Sequence, residues 1–162
     1  MLTKKASGSY SASLTETYLA PGTYTADNGA GGKDIGPFKT TITINSPLTW
    51  TNESSISTIN RSQGVTLTWT GGDPGSYVFI QGIDAIRSPL TVTSQFLCIA
   101  PIGSGQFTVP AEVLLALPPS DPSGTSFISL GSYTLGSTIS ATGLDYGVFN
   151  ASSAIGEGVK YQ

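Results

Sequence analysis

The chain has 162 residues, enough for one hydrophobic core and too few for two comfortable ones, so a single domain over 1–162 is expected. Charged residues make up only 10% of it, and the net charge of -3 leaves no basic stripe to neutralise nucleic-acid phosphates. His is absent, which removes the commonest general base, the commonest metal ligand and the usual middle member of nucleophilic triads.

The start, Met1 to Ala6, is basic but is followed by no apolar run, so no signal peptide is expected in the chain as given. No stretch approaches the roughly 18 apolar residues of a membrane span, and no membrane insertion is expected. Tyr10, Ala12 and Leu14 then alternate with Ser11, Ser13 and Thr15, the period of a half-buried strand. Residues 1–20 are read as an added or exchanged N-terminal strand, with Ser7, Ser9, Tyr10, Ala12 and Leu14 as the candidate assembly residues. Pro21-Gly22 reads as a turn, and Asp27-Asn28-Gly29 offers the Asn-Gly pair of a tight hairpin.

Phe38 to Asn45 and Val65 to Thr70 alternate apolar with hydroxyl-bearing residues, as antiparallel strands do with one face on a core and one in water. Between them Leu48-Thr49-Trp50-Thr51 is echoed by Leu67-Thr68-Trp69-Thr70, which marks two strands of similar environment. Asp73-Pro74-Gly75 is a turn. Tyr77 to Ile83 and Gln95 to Ile102 are more continuously apolar and read as central strands, and Gly105 to Val109 follows as another. Pro110 opens the one helix candidate, Ala111 to Leu117, which carries Glu112 in its first turn and stops at Pro118-Pro119. Further strands are expected at Ser126 to Leu130, Ser132 to Ile139, Tyr146 to Asn150 and Gly158 to Tyr161. Many short strands with regular turns and one short helix predict an all-β fold, an antiparallel, immunoglobulin-like β-sandwich with its helix near 111–117.

The segments Leu48-Thr49-Trp50-Thr51-Asn52, Arg61 to Gly72, and Gly105 to Pro110 with Leu114 to Pro118 together form distinctive strings. So do Asp27-Asn28-Gly29, Asp34 to Phe38 and Ala141 to Asp145. With these motifs the chain from about Pro21 onward resembles a β-rich module near the carboxyl ends of predicted secreted proteins of soil acidobacteria. The resemblance implies an extracellular β domain and no catalytic residues. The first twenty residues depart from it.

Candidate chemistry is sparse. Gly29 to Gly36 suggests a phosphate loop, but Pro37 and a strand follow where a helix is required, so a hairpin or bulge loop is favoured. Asp27, Asn28 and Asp34 could offer oxygen ligands to calcium, yet their spacing fits no EF-hand and turn duty explains them; no metal or other cofactor is expected. The acids Asp73, Asp84 and Asp121 are assigned to turn chemistry, not to the paired carboxylates of a glycosidase. Trp69 follows the apolar parity of its strand and Trp50 shares that of Leu48, so both are expected in the core, with Trp50 kept as the weak candidate for an exposed sugar platform. Cys98, the sole cysteine, is expected to be a buried free thiol. Asn52, Asn60 and Asn150 each begin a glycosylation sequon of the kind that arises by chance in a Ser/Thr-rich chain.

The expected function is therefore a non-catalytic structural or adhesive module, extracellular or at the cell surface, that self-associates or binds a surface partner. A carbohydrate-binding module and a self-assembling filament subunit are the alternatives, with a glycan as the ligand of the former.

Overall fold

The structure, a computed structural model, describes residues 20–86, 92–122 and 124–162, together with the backbone of 3–4 and 10–11. Of the predicted assembly residues, Ser7, Ser9, Ala12 and Leu14 lie outside the described residues. Strands hold 55% of the structure and helix 7%, so the chain is all-β.

In chain order the strands are β1 (Thr3–Lys4), β2 (Tyr10–Ser11), β3 (Gly22–Asp27), β4 (Lys39–Ile44), β5 (Leu48–Trp50) and β6 (Thr58–Ile59). They continue with β7 (Val65–Gly71), β8 (Tyr77–Ile86), β9 (Val92–Pro101) and β10 (Gln106–Val109), and after helix α1 (Ala111–Leu114) with β11 (Thr125–Thr138), β12 (Val148–Gly158) and β13 (Lys160–Tyr161). A three-stranded antiparallel sheet runs β10-β7-β5, and a four-stranded antiparallel sheet runs β12-β11-β8-β9. Hairpin β3–β4 and the parallel pair β6–β13 are separate, as is the β1–β2 pair.

One buried apolar cluster draws from both larger sheets. Leu48, Trp50, Leu67, Trp69 and Val109 come from the three-stranded sheet, and Val78, Ile80, Phe96, Ala100, Ile128 and Leu130 from the four-stranded one. These are the alternate positions of their strands, which is why a period-two pattern could be read from the sequence. Ile59 and Tyr161 from the parallel pair close the cluster. Leu114 and Leu117 of the helical segment do the same where the chain passes from β10 of one sheet to β11 of the other. Each such aliphatic side chain, fully buried, contributes about 1.5–3 kcal/mol.

Several local expectations change. The helix is shorter than Ala111 to Leu117: α1 ends at Leu114, and turn bonds from Ala116 to Val113 and from Leu117 to Leu114 carry the chain onward. Pro110 caps it from an extended conformation, φ -73° and ψ 158°, instead of forming its first helical residue. Gly22 is extended at φ 159° and begins β3, so Pro21-Gly22 is not the expected turn. β3 and β4 pair from Asp27↔Lys39, so Asn28 to Phe38 forms a long loop and not a tight hairpin. By contrast Gly75, with φ 81°, holds the left-handed position its turn requires.

The segments 126–130 and 132–139 merge into the single strand β11, because Gly131 continues the strand instead of breaking it. A Cβ at Gly131 would lie 2.2 Å from the Phe79 ring, so the glycine is needed for packing and not for a bend. Beyond Tyr133, where its pairing with β8 ends, β11 continues with β12 alone, and β4 packs against these two strands. Ile42 of β4 reaches Gly136 there.

Candidate functional site

The most buried polar group is Asp84, which is fully inaccessible. Its sequence reading as a turn acid is corrected: it lies inside β8, on the same face as Val78 and Ile80. Ser126 of β11 and Ser120, in the segment after α1, both donate their hydroxyls to Asp84 Oδ1, the latter at 3.2 Å. Ser120 Oγ also accepts the Tyr161 N–H at 2.8 Å, and the Tyr161 hydroxyl donates to Phe127 O at 2.9 Å. The cluster thus ties β8, β11 and β13 together through hydrogen bonds that only this packing supplies. Burial raises the Tyr161 phenol well above its ordinary pKa, and the nearby Asp84 adds to the shift.

Asp84 Oδ2 is buried without a partner among the described residues. A cleft of about 690 Å³ opens beside the cluster, lined by Ser120, Ser126, Ser57 and Lys160 among others. Ser120 already bridges the carboxylate and a backbone N–H, so its role is to fix β13. Sequence reasoning missed this cluster because its members are far apart in the chain, and the one available sign was an acid at a core-parity position of an apolar strand.

Asp73, in contrast, does act in a turn. Its Oδ1 accepts the N–H groups of Asn45 at 2.7 Å and Ser46 at 3.2 Å, and its carbonyl accepts both the N–H and the hydroxyl of Ser76. Of the residues weighed for calcium, Asp27 and Asn28 are similarly engaged. Asp27 Oδ1 accepts the Gly29 N–H at 2.6 Å, while Asn28 donates to Gly36 O at 3.0 Å and accepts the Phe38 N–H at 2.7 Å. Asn28 therefore spans the loop that its sequence predicts to be a tight turn. Among the described residues no group of three or more His, Cys, Asp or Glu is placed to hold a metal ion.

Trp50 does not present a platform. It is 5% exposed, lies opposite Trp69 across β5 and β7, and donates its indole N–H to Asn52 Oδ1 at 2.9 Å. Asn52 also accepts the Thr68 N–H and donates to Thr66 O, so the first sequon asparagine is a structural link between β5 and β7. Cys98 is free and only half-buried, a correction to the expected burial. It has the core-facing parity of Phe96 and Ala100, but β9 is the last strand of its sheet and leaves the thiol partly uncovered. Burial still raises its pKa.

Some of the exposed apolar residues lie on the other face of this sheet. Leu97 and Ile99 of β9 are 61% and 62% exposed. Across the register they meet Gln81 and Phe79 of β8, and Tyr77 on the same face is also exposed. Further in, Ile83 stands opposite Phe127 of β11. None of these side chains is charged, and apart from the hydrogen-bonded Gln81 and Gln95 they form an apolar outer face running to the sheet edge. Among the described residues no helix is long and apolar enough to cross a membrane.

No protein-family model matches the chain, and neither does any curated protein or solved structure that was compared with it.

Proposed function

We propose that this chain is a non-catalytic module that works by associating through its sheet, as a structural or adhesive part of an extracellular or cell-surface assembly. The observation that carries the reading is the uncharged outer face at β9, where Leu97 and Ile99 stand in solvent. Single exposed apolar residues are ordinary on a protein surface, but a contiguous set at a sheet edge marks a place where another surface docks. An immunoglobulin-like sandwich is the architecture we assign, supported by one apolar cluster filled from both larger sheets and by α1 on the connection between them. The low charge, the abundance of Ser, Thr and Gly, and the resemblance to acidobacterial secreted modules support the extracellular setting.

The test is light scattering across a concentration series. Wild-type protein is expected to associate as concentration rises, and Ile99→Lys, at an exposed position, is expected to stay monomeric with an unchanged circular dichroism spectrum. A wild-type chain that is monomeric throughout would overturn self-association. A self-assembling filament subunit is the extended form of the same reading, and electron microscopy of the associated protein separates it from a closed oligomer.

Carbohydrate binding is the second reading, and with Trp50 buried it moves to Tyr146, which is 75% exposed, and Tyr77. A glycan array with Tyr146→Ala as control tests it.

A further inference from the structure

The two larger sheets have four edges, and three are protected. β5 and β10 are short, with 3 and 4 residues. β12 has 11 residues, but it carries Glu157, and its register with β11 shifts between Leu135 and Thr138. Short length, charge and bulges are the usual devices that stop one edge from pairing with another. β9 has none of them. It is 10 residues long and uncharged, and its register with β8 is unbroken from Ile86↔Val92 to Tyr77↔Pro101. Among the described residues no strand pairs with its outer side.

The face on the core side of β9 is also unfinished. Phe96 and Ala100 are buried, while Cys98 between them is only half-buried. A further strand beside β9, with apolar residues at every second position, would cover that margin and satisfy the free backbone groups together.

The chain contains such a strand sequence. From Ala6 to Thr15 it is uncharged, with Lys4 and Lys5 before and Glu16 after, a run that matches the length of β9. Within it Tyr10, Ala12 and Leu14 alternate with serines. The described pair of this run, Tyr10–Ser11, is bonded to Thr3–Lys4 and joins neither larger sheet. The geometry points to β9 as the acceptor for residues 6–15 of a second copy of the chain, added as an extra strand with Tyr10, Ala12 and Leu14 on the Cys98 side. This inference rests on the association reading and places the joint at the edge of β9 and its core-side margin, beside the outer face on which Leu97 and Ile99 stand.

Cys98, the sole cysteine, makes the test direct. In the full-length chain, Tyr10→Cys, Ala12→Cys and Leu14→Cys are made one at a time and oxidised mildly, with Ser11→Cys and Ser13→Cys as controls on the opposite parity. Directly opposite residues of neighbouring strands on one face have Cβ atoms about 4.5–5.5 Å apart, close enough for a small adjustment to form a disulfide. At least one of the three apolar-position variants is expected to give an interchain disulfide to Cys98, mapped by peptide mass, while the two controls do not. Leu97→Lys, at an exposed position, is expected to remove that cross-link without altering the circular dichroism spectrum.

Four results would overturn the assignment. A wild-type dimer joined Cys98 to Cys98 would mean that β9 pairs with itself. An intrachain disulfide would mean that each chain completes its own edge. Association by light scattering without the parity-dependent cross-link would remove this docking mode while leaving the association reading intact, whereas a chain monomeric at all concentrations would remove both.

Discussion

Trp50 and Trp69 stand directly opposite each other on β5 and β7, and each has an internal acceptor for its indole N–H. Trp50 donates to Asn52 Oδ1 and Trp69 donates to Ile102 O at 2.8 Å. The pair explains why the same four-residue string occurs twice: both strands present Leu and Trp to one core while Thr faces water. Thr51 and Thr68 hydroxyls hydrogen-bond on the wet side of the same two strands.

Replacing Trp50 or Trp69 with alanine is therefore expected to destabilise the fold by about 3–5 kcal/mol, the usual range for a buried tryptophan. Trp69→Phe keeps most of the packing but leaves Ile102 O without its indole donor, an expected loss of about 1–3 kcal/mol. Denaturant midpoints at constant slope measure both. A Trp50→Ala variant that unfolds at the wild-type midpoint would contradict the burial of this ring.

Asp84 is fully inaccessible and holds two serine hydroxyls that line the neighbouring cleft. Asp84→Ala leaves both donors without their acceptor, and Ser126→Ala removes one of the two groups that bond the carboxylate. Each is expected to cost about 1–3 kcal/mol. The two losses should not add: in a double-mutant cycle the second substitution finds its partner already gone. Additive losses would show that the serine and the carboxylate do not act on each other.

Tyr161 gives a pH dependence with a definite sign. Its phenol has an ordinary value of 10.0, and burial raises it in the folded chain, so folding favours the neutral form. The stability this contributes is fully present below pH 10.0 and is lost as pH rises above that value. Chemical unfolding from pH 8 to 11.5 should show a falling midpoint above about pH 10, reduced in Tyr161→Phe. Phenolate absorbance should show one tyrosine that does not ionise until the chain unfolds.

The strands of the two main sheets were legible because a residue's face follows from parity alone, as in Val65 to Thr70 and Tyr77 to Ile83. Parity also placed Trp50 and Trp69. The errors came where a local signal competes with a neighbour distant in sequence. Asn28-Gly29 looks like a tight turn, but the Asn28 side chain bonds Gly36 and Phe38 and holds open a longer loop docked through the Gly36 N–H on Thr142 O. Cys98 has core parity, yet how deeply it is covered depends on strand order, which the pattern of a single strand does not contain. The Asp84 cluster joins residues from three strands and a loop, so no short motif could announce it.

Glycines in the four-stranded sheet supply the last test, because two of them hold aromatic rings on opposite faces. Gly82 pairs with Phe96 of β9 on the core side, and a Cβ there would lie 2.1 Å from the Phe96 ring and 2.7 Å from the Tyr161 hydroxyl. Gly131 pairs with Phe79 of β8 on the outer side, with the Phe79 ring 2.2 Å from the same constructed position and Ser153 O at 2.5 Å. Both sites are strand backbone with negative φ, so the obstacle to alanine is space and not conformation. Gly82→Ala is expected to cost about 1–3 kcal/mol, since Phe96 is buried and Tyr161 is anchored to Phe127 O, leaving neither ring free to turn away. Combining it with Phe96→Leu should recover part of the loss by opening that space. In Gly131→Ala the Phe79 ring has solvent to move into, but the Ser153 carbonyl belongs to β12 and cannot yield without disturbing the β11–β12 ladder. Thermal unfolding of the two single variants and the double variant measures these effects, and a Gly82→Ala protein as stable as wild type would contradict the placement of the Phe96 ring.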